Sequence, residues 1–373
     1  MEEMKTPEMI EEEMVTVAPE TEAAVAEHTE LSQEELRGES LTDRVKVLSP
    51  TATIIKRFFR SKLSVVGLVV LIVLFVFSFV GPMLSPWYDG GAKALRDASD
   101  RYEVQENPLS YIVENEDGTI EKFYVYEIVE TSHDYNVRAG ISWDHWLGTN
   151  ERGEDIFTNL MLGGRVSLTI GFVVVILQTL IGVIFGGLSG YFGGWVDQVI
   201  MRICDILYCI PTLQIMLILS AVFEKIEGIE KLYYMMGILC LIGWAGTARL
   251  VRGQILSLRE QDFMLAAKAS GLSTFSKIFK HLMPNVMPQL IVTMTLGLGQ
   301  VILTEATLGF LNIGAPIGTP TWGQMIEYAN NTTYLEGYPN FWLPAGLCIT
   351  AAILAFNFVG DGLRDAFDPK MKR

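Results

Sequence analysis

The sequence predicts an all-α integral membrane protein with six transmembrane helices and a small, partly β extracytoplasmic insert after the first helix. Three observations carry that expectation. Half of the 373 residues are apolar and the mean hydropathy is +0.32, which is a membrane-protein composition. The apolar residues gather into intervals free of Asp, Glu, Lys and Arg: 63–88, 166–196, 206–223, 232–248, 281–304 and 337–360. A spanning helix needs about 20 such residues, with a range of roughly 17–25. Lys and Arg are also shared unequally between the joining segments. Seventeen fall in 44–62, 191–204, 249–281 and 361–373, and nine in 85–165, 224–231 and 305–336. The basic side is the cytoplasmic one, so both termini are expected in the cytoplasm of a multi-pass cell-membrane (plasma or inner) protein. Buried helices of a soluble enzyme are the competing account, but such helices keep a polar face.

Residues 1–45 read as an acidic, disordered tail. Within 1–43, 14 acidic residues stand against Lys5 and Arg37, and aromatic residues are few. No basic stretch followed by a short apolar run opens the chain, so the tail is not read as a cleaved signal, and the first span serves for targeting. Residues 46–84 hold a basic amphipathic segment (Lys56, Arg57, Arg60, Lys62) and the first span, which ends at Pro82 and Pro86 with Trp87 and Tyr88 at interface depth. Residues 85–146 form the insert. Asp117-Gly118 between two aromatic, β-rich runs reads as a hairpin. Across 85–165 there are 16 acidic residues against seven Lys/Arg, which suits either a solvated surface or the docking of a partner protein.

Residues 147–373 carry the remaining five spans. The stretch 145–168 reads as polar turns followed by an interfacial helix leading into span two. Gly171, Gly182, Gly186 and Gly187 let that span pack closely on a neighbour. Pro211 predicts a kink in span three, and Asp197 and Arg202 at the inner turn read as a structural pair. The four cysteines, Cys204, Cys209, Cys240 and Cys348, lie in or beside spans without metal-ligand spacing and read as small packing residues.

Several chemistries are excluded. There is no G-x-x-x-x-G-K-[ST] for ATP, no H-E-x-x-H and no G-x-S-x-G. The histidines are scattered, so neither a cofactor, a metal nor a catalytic role is expected in this chain, and no nucleic-acid partner. No span carries a cluster of ionisable groups, which ion-coupled transporters use. Energy for any transport should therefore enter from a partner.

The place for that entry is the polar, basic stretch 249–285, which lies between two apolar runs. Its centre, Asp262 to Gly271, reads DFMLAAKASG. On a helix Phe263, Ala267 and Gly271 line one face, small enough for another body to approach the backbone. Gly271 suits a left-handed helix cap. A second helical stretch is expected to stop at Pro284.

These residues resemble the E-A-A…G…I-x-L-P loop of permease subunits in binding-protein-dependent ABC importers. Ala266, Ala267, Gly271 and Pro284 match, and Leu265 stands where the family usually has Glu. Glu260 and Asp262 are the nearby carboxylates that would replace it. HWLGTN at 145–150 with Gly153, Asp155 and GRVSL at 164–168 is similar to a signature of peptide permeases. So are SGYFGGWVDQVIMRICDILYCIPT at 189–212, Glu305 to Gly314 with Thr321-Trp322-Gly323, and AFNFVGDGLRDAFDP at 355–369. The insert after span one suits the C-type subunit of oligopeptide and dipeptide importers. The resemblance implies a type I ABC importer permease fold and a second, homologous permease. It also implies two cytoplasmic ATPases holding ATP and Mg, and an extracytoplasmic peptide-binding protein. It makes Glu260, Asp262, Ala266, Ala267, Gly271 and Pro284 the ATPase-coupling residues. Glu305 and Pro211 are gate or pore candidates, with local helix-end bonding as the other reading of Glu305. A nickel or glutathione permease of the same family is the alternative within the resemblance, and an ion-coupled secondary transporter is the alternative of another class.

Overall fold

Ser61, in extended backbone, starts the first span: its hydroxyl accepts the Ser64 N–H, one of the donors that a helix start leaves unpaired. A computed structural model of the chain describes residues 50–88, 90, 94–95, 98–104, 109–125, 128–223, 231–315 and 319–368. The acidic tail therefore lies outside the described residues. The chain divides into two compact units, Met1–Thr53 and Ile54–Arg373; in the first, only the opening turn of helix α1 (Pro50–Arg60) is described. The first span is α2 (Lys62–Phe79), followed by a single turn at Gly81–Leu84.

The insert holds four strands, β1 (Ala98–Val104), β2 (Leu109–Glu114), β3 (Ile120–Val125) and β4 (Ile128–Tyr135). They pair as two antiparallel ladders, β1 with β4 and β2 with β3, the second nested inside the first. Asp117 and Gly118 make the β2–β3 turn. Gly118 takes φ +81°, and the Asp117 carboxylate accepts both the N–H and the hydroxyl of Thr119. Those bonds hold the Asp117 carboxyl below the usual carboxylate range.

Helix α3 (Ile156–Phe192) has 37 residues, about 55 Å of rise against a hydrocarbon core of about 30 Å. Residues 157–168, expected as a helix leading into span two, are its opening turns and continuous with the rest of it. Asp155 caps it through Thr158 N–H at 2.7 Å, and nothing breaks the ladder after that. Next come α4 (Gly194–Cys209) and α5 (Thr212–Phe223). Pro211 does more than kink this span, because the two helices are bent by 83° at the break. Ile210 sits at φ −90°, ψ 124°, as the residue before a proline is driven out of helical backbone.

Helix α6 (Lys231–Leu258) leads to α7 (Asp262–Ala269). A turn at Thr274–Ser276 and a π-helical segment, Lys277–Leu282, then run without interruption into α8 (Met283–Phe310). The second helix of the loop thus does not stop at Pro284. That proline falls where the π-helical turn gives way to α8, and the wider π turn before it shifts the ladder around the N–H it lacks. The Met283 N–H bonds Ile278 O, five residues back. The short helices α9 (Trp322–Glu327) and α10 (Thr332–Gly337) precede α11 (Pro339–Phe367). Helices α2, α3, α6, α8 with its lead-in, and α11 are long and apolar enough to cross a membrane, and the bent α4–α5 pair brings the number to six if it is counted as one span.

Helix α3 is central: it packs along α6 and against α2 and α8, while α11 closes onto α2 and α8. The α3–α6 contact is set by Gly182, Gly186 and Gly190, four residues apart. A Cβ at these positions would lie 2.6 Å from Thr247 Cβ, 2.8 Å from Val251 Cβ and 2.9 Å from Ile255 Cβ, so only glycine permits this approach. Cys204 and Cys240 are buried, whereas Cys209 is exposed and packs no core within this chain.

Candidate functional site: the α6–α8 loop and the two ends of the bundle

Leu258 ends α6, and Arg259 turns the chain. Its guanidinium donates to Gly190 O and Tyr191 O at the end of α3, which fixes where the loop starts. Helix α7 then runs eight residues, with Asp262 in its first turn and Lys268 in its last, both favourable to the helix dipole. It ends as the sequence predicts, with Gly271 at φ +68°. The Gly271 N–H bonds Lys268 O and the Leu272 N–H bonds Ala267 O, the paired bonds of a Schellman cap. A Cβ on Gly271 would meet nothing, so conformation, and not space, demands glycine.

The exposed face of α7 differs from the sequence expectation. Ala267 is 6% exposed. With Met264 it is turned inward, and Met264 packs with Val251 and Ile255 of α6 and with Ile278, Leu282, Met283, Val286 and Leu290. Phe263, Ala267 and Gly271 do not share one face: Phe263 is at the surface, Ala267 is buried, and Gly271 lies beyond the end of the helix. The apolar neighbours of Met264, from α6 and α8, decide which side turns inward. The outward stripe is Asp262, Leu265, Ala266 and Ala269, at helical spacing. Leu265 is 55% exposed, with Phe263, Phe275 and Phe279 also at the surface and the last two rings 4.4 Å apart. Glu260 is exposed before the helix, beside Arg259 at 4.0 Å, and Pro284 is exposed at the far side of the loop.

Two ion pairs beside the loop were not legible from sequence. Arg252 of α6 donates from Nε and Nη2 to the two oxygens of Asp197 on α4, at 2.8 and 2.6 Å, and Ser189 adds its hydroxyl. Asp197 therefore pairs across 55 residues and not with Arg202. One turn nearer the start of α6, Arg249 donates to Asp205 at 2.5 Å and lies 4.2 Å from the centre of the Tyr208 ring. Both pairs fasten the helix that leads into the loop to the helix that breaks at Pro211. The available signal was weak: lone charges spaced at the ends of otherwise apolar runs.

At the opposite end of the bundle, the HWLGTN stretch folds into a cap for α3. Asp155, besides capping Thr158, holds His145 Nδ1 at 2.9 Å. Asn150 and Asn159 both donate to Glu154, and Asn340 donates to Leu147 O, tying in α11. Tyr334 donates to Glu151 at 2.7 Å and accepts from Arg138 at 3.2 Å; the bond to Glu151 pushes the Tyr334 hydroxyl's pKa up. A polar cavity of about 260 Å³ opens here, among Asn150, Glu154, Asn312, Gln324 and Tyr328.

Glu305, in the last turns of α8, is fully buried. Its bonding is not local to its helix end: Ser167 of α3 donates to it at 2.9 Å and itself accepts the Trp322 N–H at 3.2 Å. Glu305 thus joins α3, α8 and α9. Pro211 is exposed at the α4–α5 break, far in sequence and without an observed bond to Glu305; the structure does not bring these two together. Among the described residues no group of three His, Cys, Asp or Glu is placed to hold a metal ion.

The profile of the family described as binding-protein-dependent transport system inner membrane component matches residues 182–373. That of the N-terminal transmembrane domain of oligopeptide transport permease C matches residues 49–102. Among curated relatives, the oligopeptide transport system permease protein OppC of Bacillus subtilis is 35% identical over 85% of this chain and 88% of its own length. The dipeptide transport system permease protein DppC of the same organism is 34% identical over 87% and 88%. The glutathione transport system permease protein GsiD of Pectobacterium atrosepticum is 36% identical over 65% and 79%.

Proposed function

This chain belongs to the family of binding-protein-dependent transport system inner membrane components, and we propose that it is the permease subunit of an ATP-driven peptide importer. In this reading it forms half of the translocation pathway beside a homologous second permease, and an extracytoplasmic binding protein delivers the peptide. The chain itself carries no catalysis: two ATPase subunits hold ATP and Mg and hydrolyse the nucleotide. The names of the two Bacillus relatives support the peptide substrate.

The observation that carries the reading is α7. A short helix ends in a glycine cap that no other residue adopts as easily. It is fastened inward by Met264 and Ala267 and turns Leu265 and Ala266 outward. That is a rigid body presented to a partner, in a chain with no nucleotide motif of its own. The outward stripe would seat in a groove on one ATPase, and ATPase closure would move α7. The loop side then faces the cytoplasm, in keeping with its Lys/Arg excess. Glu260 or Asp262, shortly before Leu265, would supply the carboxylate that the resembling loop usually has at the Leu265 position.

The test is uptake by the assembled complex. Gly271→Arg should insert and assemble normally yet abolish ATP-dependent peptide uptake, and normal uptake would overturn the coupling role. Uptake that survives ATP depletion but collapses with ion gradients would instead establish an ion-coupled transporter. A glutathione substrate is the second reading, favoured by the relative from Pectobacterium; competition of glutathione with peptide for uptake decides between them.

A further inference from the structure

We propose that an apolar groove beside the outer turn of the first span, at the insert end of the bundle, is a binding site for a bilayer phospholipid with a zwitterionic headgroup. The groove has a volume of about 430 Å³ and is walled by Phe77, Trp87, Trp146, Phe157 and Met161, with Trp143 and Asp144 at its rim. That volume is in the range of small-molecule sites, about 300–1,000 Å³.

Its depth in the bilayer follows from α2. Eighteen residues rise about 27 Å, close to the ~30 Å hydrocarbon core. The Gly81–Leu84 turn therefore stands where acyl chains give way to headgroups, and the groove opens at that turn. Val69, Val73 and Val76 are exposed along α2, and Val80, Met83 and Leu84 are exposed past its end. An acyl chain lying on α2 reaches the groove without crossing a polar barrier.

The walls are held before any ligand arrives. Trp87 Nε1 donates to Asp144 O at 2.8 Å, and its ring stacks on His145 at 4.3 Å, which Asp155 holds. Trp146 lies against Phe157, and Phe157 against Phe77, with ring centres 5.1 and 5.6 Å apart. Trp143, by contrast, is 94% exposed. A free indole is costly in water but suited to a headgroup layer, where its body meets apolar chains and its N–H meets carbonyl or phosphate oxygens.

The headgroup class follows from charge. The ionisable groups lining the groove are Asp144 at the rim and the buried Asp155, with no Lys or Arg. A net-anionic headgroup would be repelled. An ammonium group would find the Asp144 carboxylate and the face of Trp143, which attracts cations.

The experiment uses the full complex purified with its partner subunits in nanodiscs of phosphatidylethanolamine and phosphatidylglycerol, with native mass spectrometry counting retained lipids. The wild type should keep phosphatidylethanolamine preferentially. Trp143→Ala and Asp144→Lys, both at exposed positions, should lower that retention roughly fivefold, and Asp144→Lys should shift preference toward phosphatidylglycerol. A photoreactive residue at position 143 should crosslink lipid. Retention unchanged in both variants, equal retention of the two lipids, or crosslinking of position 143 into another protein subunit would each overturn the proposal. ATP-driven uptake by the wild type, measured in parallel, reports separately on the importer reading, which this site does not require.

Discussion

Arg252 grips Asp197 with two nitrogens, at 2.8 and 2.6 Å, and so fastens the helix entering the loop to the helix that breaks at Pro211. The Asp197 side chain is largely buried while Arg252 is about one-third exposed. Arg252→Ala should therefore cost about 1–3 kcal/mol, less than a fully buried pair would lose. Arg252→Lys should cost less than Arg252→Ala, because it keeps the charge and loses the two-pronged geometry. Thermal unfolding of the purified complex measures both. The exchange Asp197→Arg with Arg252→Asp should recover part of the loss; a double variant no better than Arg252→Ala would show that the pair itself stabilises nothing.

Asp262 and Leu265 share the outward stripe of α7. If Asp262 supplies the carboxylate contact to the ATPase, Asp262→Ala should lower uptake several-fold with assembly intact, and Leu265→Glu in that background should restore it. The ratio of peptide moved to ATP hydrolysed is the measurement. Asp262→Ala with an unchanged ratio would remove Asp262 from coupling.

What the sequence carried and what it did not follow from the range of each interaction. The spans and the Gly271 cap were legible because charge-free runs and a glycine after a small-residue helix are local signals. Gly182 and Gly186 were also legible, as residues with no bulk to place. The inward turn of Ala267 was not, because α6 and α8 decide it. Neither was Asp197–Arg252, since nothing near Asp197 in sequence names a partner 55 residues away. Pro284 misled for a local reason: a proline that ends one helix and a proline in the first turn of the next look alike until the π turn before it is seen. For Glu305, the partner Ser167 lies 138 residues away, so only a helix-end residue was visible.

Asp155 serves two partners at once, capping α3 through Thr158 and holding His145. Asp155→Asn keeps an acceptor for one of them, whereas Asp155→Ala leaves both without it. Loss of the cap alone costs about 0.5–2 kcal/mol, and the buried imidazole adds about 1–3 kcal/mol. Asp155→Ala should therefore unfold at a clearly lower temperature than Asp155→Asn. Equal losses in the two variants would show that the charge, and not the acceptor geometry, sets the stability of this end.

Glu305 separates a structural from a transport role by a single substitution. Its carboxylate accepts from Ser167, which in turn accepts the Trp322 N–H, so α3, α8 and α9 meet on one side chain. Glu305→Ala removes the acceptor and leaves a cavity, an expected loss of about 2–4 kcal/mol. Glu305→Gln keeps the shape and a carbonyl oxygen for Ser167, so its stability should stay within about 1 kcal/mol of the wild type. If joining these three helices is the whole of its role, Glu305→Gln also keeps ATP-driven uptake and only Glu305→Ala loses it. A Glu305→Gln complex that unfolds like the wild type but fails to transport would show that the ionisable group itself acts in the pathway. Measuring unfolding and uptake on the same two preparations therefore decides between a buried joint and a gate.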